Sequence, residues 1–203
     1  MSRRASEDIL RPHGGYRRLL TFRVARLIYD VTVRFCERFV PRGSRTHDQM
    51  VQAARSGVQN IAEGSKAAGT SARSELKLTG VARASLEELR LDYEDFLRHR
   101  GRSPWERDDG RAGRLIESRP STIDDFGAWI KRVRHETSPH DVAVWEIAAN
   151  GSIVLIRVTS ALLARQIAAQ LASFEREGGF SERLHRARTR SSSWHPSAAS
   201  RRA

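Results

Sequence analysis

The chain has 203 residues, of which 39% are apolar and 30% charged, and its formal net charge is +12. This length and apolar content suit one domain with appendages, and the basic balance indicates an anionic partner, nucleic acid before an acidic membrane surface. The lone Cys36 excludes an internal disulfide and therefore favours a reducing compartment.

The excess positive charge is concentrated at the two ends of the chain. Residues 1–26 hold seven Arg and two acids, and residues 183–203 hold six Arg and no acid, so the middle is nearly neutral. We expect residues 1–13 to be a basic, flexible N-terminus. They lack the apolar run of a signal peptide, which predicts a cytoplasmic protein.

An apolar stripe at helical spacing predicts a first helix from about Tyr16 to Val40. Pro41 and Gly43 stop it. A second apolar row on the same segment predicts that this helix contacts two neighbours.

The second helix is predicted to start at a capping box formed by Thr46 and Gln49 and to reach about Ser65. Its inward side is built mostly of small residues, which allow another helix to approach closely. Gly57 lies on this side, and close packing would offset its helix-propensity cost of about 1 kcal/mol.

A third helix is predicted from a cap at Thr70 or Ser71 to about Arg100, with one apolar face and one acidic face. Three acids fall at i, i+4 and i+7 along it, a geometry that could hold a metal ion. The Glu-x-x-His pairs that a di-metal bundle needs on other helices are missing from the sequence. Ion pairs with Arg90 and Arg98, or with a neighbouring subunit, are therefore favoured for Glu88, Asp92 and Asp95.

Residues 101–138 break the helical pattern with several Gly and Pro, which predicts an irregular insertion. Within the insertion, Ser121 and Asp124 have the spacing of a helix start. We expect a short helix over 121–134, with one apolar stripe that lies on the rest of the protein.

The fourth long helix is predicted to start at Ser138 and Pro139 and to stop at Gly178 and Gly179. Its longest uncharged stretch, from Ile147 to Ile156, is about half of a membrane span, so no membrane insertion is predicted. Residues 181–203 are then a basic C-terminal extension, at most a short helix and partly disordered.

The sequence shows no strand-like alternation and no internal repeat. We therefore predict an all-α fold: an antiparallel up-down four-helix bundle over residues 14–180, with an inserted short helix in 101–138 and the basic extension at its end. The first two helices present more apolar surface than a monomer buries, which favours a homo-oligomer.

Four stretches carry a resemblance to a known family. QAARSGVQNIAEGS (52–65) and ELKLTGVARASLEEL (75–89) resemble the bacterial four-helix bundle proteins. That family includes the proteins encoded in 23S rRNA intervening sequences and the accessory variability protein of diversity-generating retroelements. GGYRRLLTF (14–22) and ALLARQIAAQLASFEREGG (161–179) resemble a longer branch that carries the four-helix-bundle suffix domain. The resemblance implies an antiparallel bundle, commonly a five-fold ring (a pentamer), with a basic surface and a nucleic-acid or reverse-transcriptase role.

Three residues of the second helix are candidates for a structural interface: Gly57, Asn60 and Glu63. We expect Asn60 to satisfy a buried polar group across a helix interface and Glu63 to pair with an Arg. Direct ligand binding by this pair is the less favoured alternative.

No convergent set of nucleophile, base or metal ligands is visible, so no catalytic residue, cofactor or metal site is predicted. His135 and His140 are five residues apart with Pro139 between them, which does not match a zinc-protease helix. Cys36 lies on an apolar row without a nearby base, which favours packing over nucleophilic catalysis.

The sequence predicts a non-enzymatic, oligomeric protein that associates with RNA or DNA. Arg suits phosphate because its planar guanidinium offers a fork of donors. The candidate contacts lie at both ends of the chain: Arg17, Arg18, Arg183, Arg186, Arg188 and Arg190. The alternative is a protein–protein interaction scaffold with no nucleic-acid role, whose partner is a reverse transcriptase or another protein.

Overall fold

The computed structural model describes residues 15–137 and 142–177, together with His185 and Thr189. Within these residues every regular element is helical, which confirms the predicted all-α class. A 3-10 turn over Tyr16–Arg18 precedes six α-helices: α1 (Leu20–Phe39), α2 (Arg45–Ala67), α3 (Ala72–Arg98), α4 (Gly110–Ser118), α5 (Ile123–Glu136) and α6 (Val144–Glu177).

The four long helices α1, α2, α3 and α6 surround one apolar core. α2 packs against both α1 and α3, and α6 packs against the same two helices. α1 and α3 meet through large side chains at the centre. There the hydroxyl of Tyr93 donates a hydrogen bond to Thr32 at 3.0 Å, and the rings of Phe35 and Tyr93 meet edge-on at 4.9 Å.

Two predicted helix starts are wrong by a few residues. α1 begins at Leu20 because Leu19 is extended and separates the helix from the 3-10 turn. α2 is capped two residues earlier than predicted, at Ser44 instead of Thr46, because the Ser44 hydroxyl accepts a hydrogen bond from the backbone N–H of Thr46 at 3.2 Å. Ser71 caps α3 as one of the two predicted alternatives.

The insertion contains two helices, whereas the sequence predicted one. The unpredicted helix α4 is capped by Asp109, whose carboxylate accepts from the backbone N–H of Arg111 at 2.8 Å. α5 corresponds to the predicted short helix, but its complete capping box joins Thr122 and Asp125, one residue later than expected.

The insertion is attached to the first half of α6, where every residue from 146 to 156 is buried. A Cβ on Gly151 would lie 2.5 Å from the ring of Trp129, so only glycine lets this indole sit against the helix. Asn150 accepts a hydrogen bond from the backbone N–H of Trp105 at 2.7 Å, and Arg157 donates to the Trp105 carbonyl at 3.3 Å. α4 and α5 thus form a cover over this half of α6.

The segment Val144–Arg176 of α6 is long and apolar enough to cross a membrane, by length and composition alone. Its most apolar window is 72% buried inside the protein, and a central core helix meets the same test as a membrane span. The predicted starts at Ser138 and Pro139 and the predicted stop at Gly178 and Gly179 lie outside the described residues.

Candidate nucleic-acid interface

The 3-10 turn before α1 places two of the predicted arginines on the surface. The backbone N–H of Arg18 donates to the Gly15 carbonyl at 3.0 Å, and that of Leu19 donates to the Tyr16 carbonyl at 2.9 Å. Arg17 and Arg18 are both exposed. The turn therefore holds two guanidinium groups at the start of α1.

A third cation, Lys66, lies close to Arg17 and Arg18 because it contacts the ring of Tyr16. The half-buried Tyr16 ring lies edge-on to Phe22, with centroids 4.8 Å apart. The ammonium of Lys66, from the last turn of α2, lies 5.7 Å from the Tyr16 ring centroid, and the guanidinium of Arg17 lies 6.0 Å from it. Cations at this distance are attracted by the ring quadrupole. We name Arg17, Arg18 and Lys66 the basic corner.

The sequence did not single out Lys66, because nothing local links the end of α2 to residue 16. The exposed face of α1 was also missed, although it is the side opposite the predicted apolar stripe. Two acids accompany it, and one of them, Asp30, pairs with Arg26 at 3.6 Å. The exposed basic residues along this face are Arg23, Arg26, Arg34 and Arg38.

The last turns of α6 lie at the same end of the described region as the start of α1. The hydroxyl of Thr21 in α1 donates to the side chain of Gln166 in α6 at 3.1 Å, and Gln170 donates to Glu75 in α3 at 2.9 Å. These contacts bring the last turns of α6 to the first turns of α1 and α3. The other predicted contact residues lie outside the described residues: Arg183, Arg186, Arg188 and Arg190.

The candidate interface residues of α2 have different surroundings. Gly57 is buried against α3, where an added Cβ would lie 2.9 Å from Leu86. The amide of Asn60 donates to the carbonyl and the hydroxyl of Ser56, at 2.9 and 3.1 Å. The Ser56 hydroxyl in turn lies 2.9 Å from that of Ser85 on α3. Asn60 thus reaches α3 through Ser56 rather than directly.

Glu63, the third of these residues, is exposed at the surface of α2. No ion pair joins it to another residue of the described part of the chain. The Arg partner expected for it is therefore not found among these residues.

The acids of α3 are paired differently from the prediction. Arg90 pairs with Glu87 at 2.8 Å and with Glu94, and these contacts keep the pKa of the Arg90 guanidinium above its usual value. Arg98 pairs with Asp95 at 2.9 Å, as expected. Among the described residues, no group of three His, Cys, Asp or Glu side chains is placed to hold a metal ion.

An open cavity of about 720 Å³ lies between α2 and α3. It is lined by polar side chains and by three acids, Asp48, Glu88 and Asp92, with Arg45 as a basic neighbour. Burial, followed by the charges of Asp95 and Glu88, raises the pKa of Asp92. This side of the protein therefore carries acidic groups, whereas the basic corner carries cations.

The chain was compared with protein-family models, curated proteins and solved structures, and no match was found in any of the three.

Proposed function

We propose that this chain is an antiparallel up-down four-helix bundle that binds RNA or DNA as a non-enzymatic, homo-oligomeric accessory protein of the cytoplasm. The observation that carries the proposal is the basic corner, with exposed Arg17 and Arg18 beside Lys66. It lies at the end of the molecule from which the Arg-rich extension 181–203 leaves α6.

The bundle is supported by the order of helix contacts and by the links between helices. Residues 40–44 join α1 to α2, and residues 68–71 join α2 to α3. Links this short favour antiparallel neighbours. The long connection through α4 and α5 then returns the chain so that α6 packs between α1 and α3.

The chemistry of the basic corner suits phosphate rather than base edges. Guanidinium groups bind phosphate oxygens in a bidentate way, and such contacts position a nucleic acid without reading its sequence. Copies of the corner in a homo-oligomer would add their charges along one nucleic acid and raise its affinity. The family resemblance supports a five-fold ring, which light scattering coupled to size exclusion measures directly.

The test is the salt dependence of binding to a labelled oligonucleotide, single-stranded or duplex, followed by fluorescence anisotropy. If five phosphates of a duplex are neutralised, log K falls against log salt with a slope of about −4.5. The double substitution Arg17→Ala and Arg18→Ala should reduce that slope by about 2.

The matched control removes two exposed charges elsewhere, with Lys131→Ala and Arg134→Ala on α5. It should leave the slope unchanged, because α5 lies over the first half of α6 and away from the basic corner. A flat salt dependence, absence of binding at low salt, or equal losses in both double variants contradicts the proposal.

The second candidate function is a protein–protein interaction scaffold, and the cavity between α2 and α3 favours it. Glu88 and Asp92 line that cavity without an ion pair to another described residue, and Leu91 beside them is exposed. A basic segment of a protein partner, such as a reverse transcriptase, would fit this surface. Removal of residues 183–203 separates the candidates, because it should abolish nucleic-acid binding and leave capture of a protein partner intact.

A further inference from the structure

An open cavity of about 650 Å³ lies next to the basic corner, between the start of α1 and the last turns of α6. Its volume is within the range of small-molecule sites, about 300–1,000 Å³. Two glutamines of α6, Gln166 and Gln170, supply amides to its lining. Much of the remaining lining is apolar: Leu19, Leu20, Ala68 and Leu162. We name this space the end cavity.

The end cavity and the basic corner are built from the same two chain segments. Leu19 and Leu20 directly follow Arg18. Ala68 lies two residues after Lys66, at the end of α2. Consecutive Cα atoms are about 3.8 Å apart, so the backbone of these lining residues lies within about 8 Å of the backbone of the corner. A single nucleotide is long enough to contact both.

Gln170 contributes an acceptor that lacks a donor. Its amide nitrogen donates to the Glu75 carboxylate at 2.9 Å and to the Thr79 hydroxyl at 3.2 Å. The Thr79 hydroxyl donates its own proton to the Glu75 carbonyl at 2.9 Å, so it accepts from the amide. These two partners determine which side of the amide carries the nitrogen. The Oε1 atom on the other side is buried and has no hydrogen-bond partner among the described residues.

Gln166 contributes the complementary group one turn earlier. Its Oε1 atom accepts a hydrogen bond from the Thr21 hydroxyl at 3.1 Å. No acceptor in the described part of the chain bonds its amide nitrogen. Gln166 and Gln170 are four residues apart and therefore lie on one face of α6. The lining of the end cavity thus offers a hydrogen-bond donor and an acceptor on neighbouring positions.

Apolar side chains beside a donor and an acceptor match the chemistry of a nucleobase. An unpaired base packs its faces against side chains and forms hydrogen bonds through its edge. A glutamine amide is a suitable partner for such an edge, above all for adenine. The terminal torsion of glutamine is soft, so a small rotation brings the Gln170 Oε1 atom to the surface of the cavity. Contact with an exocyclic amino group would then remove the penalty of an unsatisfied buried acceptor.

We propose that the end cavity receives one unpaired nucleobase of the nucleic acid whose phosphates contact the basic corner. The faces of the base pack against Leu20 and Leu162, and its amino group donates to Gln170 Oε1. The base site rests on the proposed function and deepens it, because it makes a single strand the preferred partner. A duplex keeps its bases paired and stacked, so it offers the corner only its phosphates.

Two DNA single strands of equal length and charge test the base site in the full-length protein. One is oligo-dA, and the other carries abasic nucleotides in place of its central bases. The strand with bases should bind about ten-fold more tightly in fluorescence anisotropy at low salt. The salt slopes of the two strands should be equal, because their phosphates are equal in number. Equal affinities overturn the base site alone, whereas absence of binding to both strands overturns the proposed function as well.

A matched pair of variants locates the base in the end cavity. Ala169 lines the cavity and its neighbour Ala168 does not, although both are exposed on α6. Ala169→Phe fills the cavity without a change of charge. It should abolish the ten-fold advantage of oligo-dA and leave binding of the abasic strand unchanged. Ala168→Phe should keep the full advantage. The same result for both variants overturns the proposal.

A change of one amino group tests the contact with Gln170. Purine nucleotides that lack the exocyclic amino group of adenine should bind the unmodified chain about five-fold more weakly than oligo-dA. Gln170→Leu keeps the size of the side chain and removes its amide, so this variant should bind the two strands equally. Both strands are measured on each protein, so a general loss of stability does not imitate the result. If the amino group has the same effect on both proteins, the proposed contact is wrong.

Discussion

The two halves of α6 are both rich in apolar residues, yet their surroundings differ. The first half is buried by α1 and α3 on one side and by α4 and α5 on the other, whereas the second half has only long helices such as α1 and α3 beside it within the described part of the chain. The cover over the first half is specific: Gly151 admits the Trp129 ring, and Asn150 binds the backbone of Trp105. Burial along a helix is thus determined by the segment that covers it, and a segment that breaks the helical pattern can be that cover.

Among the variants that compare the two halves of α6, removal of the Trp129 indole should change the free energy of unfolding most. Trp129 is almost completely buried, so Trp129→Ala should lower the free energy of unfolding by about 3–5 kcal/mol. Phe174→Ala, in the uncovered half, should change it by less than about 0.5 kcal/mol. Urea unfolding followed by circular dichroism measures both, and similar losses for the two variants contradict the difference between the halves.

The glycine that admits the indole gives the next largest effect. Gly151→Ala forces a Cβ to within 2.5 Å of the Trp129 ring and should cost about 1–3 kcal/mol of stability. Gly80→Ala in α3 is the control, because a Cβ there meets nothing within 4 Å. That variant should gain up to about 1 kcal/mol from helix propensity. If Gly151→Ala stabilises the protein instead, the Trp129 ring is not in close contact with α6 at this position.

Loss of a polar contact should also cost more stability in the first half of α6 than in the second half. Asn150→Ala leaves the buried N–H of Trp105 without its acceptor and should cost about 1–3 kcal/mol. Gln170→Ala removes part-buried hydrogen bonds to Glu75 and Thr79, but it also removes a buried Oε1 that has no hydrogen-bond partner among the described residues, so it should cost only about 0.5–1 kcal/mol. Thermal unfolding of both variants tests this order, and a larger loss for Gln170→Ala reverses it.

The smallest effect on stability comes from the capping box at the start of α5, and it depends on pH. The backbone N–H groups of Ser121 and Thr122, with their hydroxyls, lower the pKa of the Asp125 carboxyl from 3.8 to about 2. Because the folded pKa is below the unfolded one, the capping box stabilises α5 fully above pH 3.8 and is lost as the pH falls towards 2. A carboxyl NMR titration of the folded protein should give a value near 2. A titration near 3.8 contradicts the capping role of Asp125.

α1, α2 and α3 were predictable because each buries a stripe that repeats with the helical period, and α6 because its apolar residues continue over many turns. The starts of these helices were harder to predict. For α2, Ser44 and Thr46 are both good capping residues, and only packing decides between them. α4 was missed because Gly110 and Gly113 lower its intrinsic helix propensity, and its burial comes from contacts with α6.

The site was predictable only where charge alone defines it. Arg17 and Arg18 stand out from the sequence because the surrounding segment is rich in Arg and poor in acids. Lys66 does not, since its place beside Tyr16 depends on the packing of α2 against the 3-10 turn. The pairing of Arg90 likewise follows from side-chain geometry on α3, which the spacing of the acids did not determine.

The position of α6 in the chain has a consequence for synthesis on the ribosome. α1, α2 and α3 leave the ribosome first, but α6 packs against both α1 and α3 and completes their core. At translation rates of 5–20 residues per second, the apolar faces of α1, α2 and α3 remain without α6 for a period on the order of ten seconds. The nascent chain therefore has a period in which it can bind chaperones or another copy of itself, and this period ends when α6 emerges.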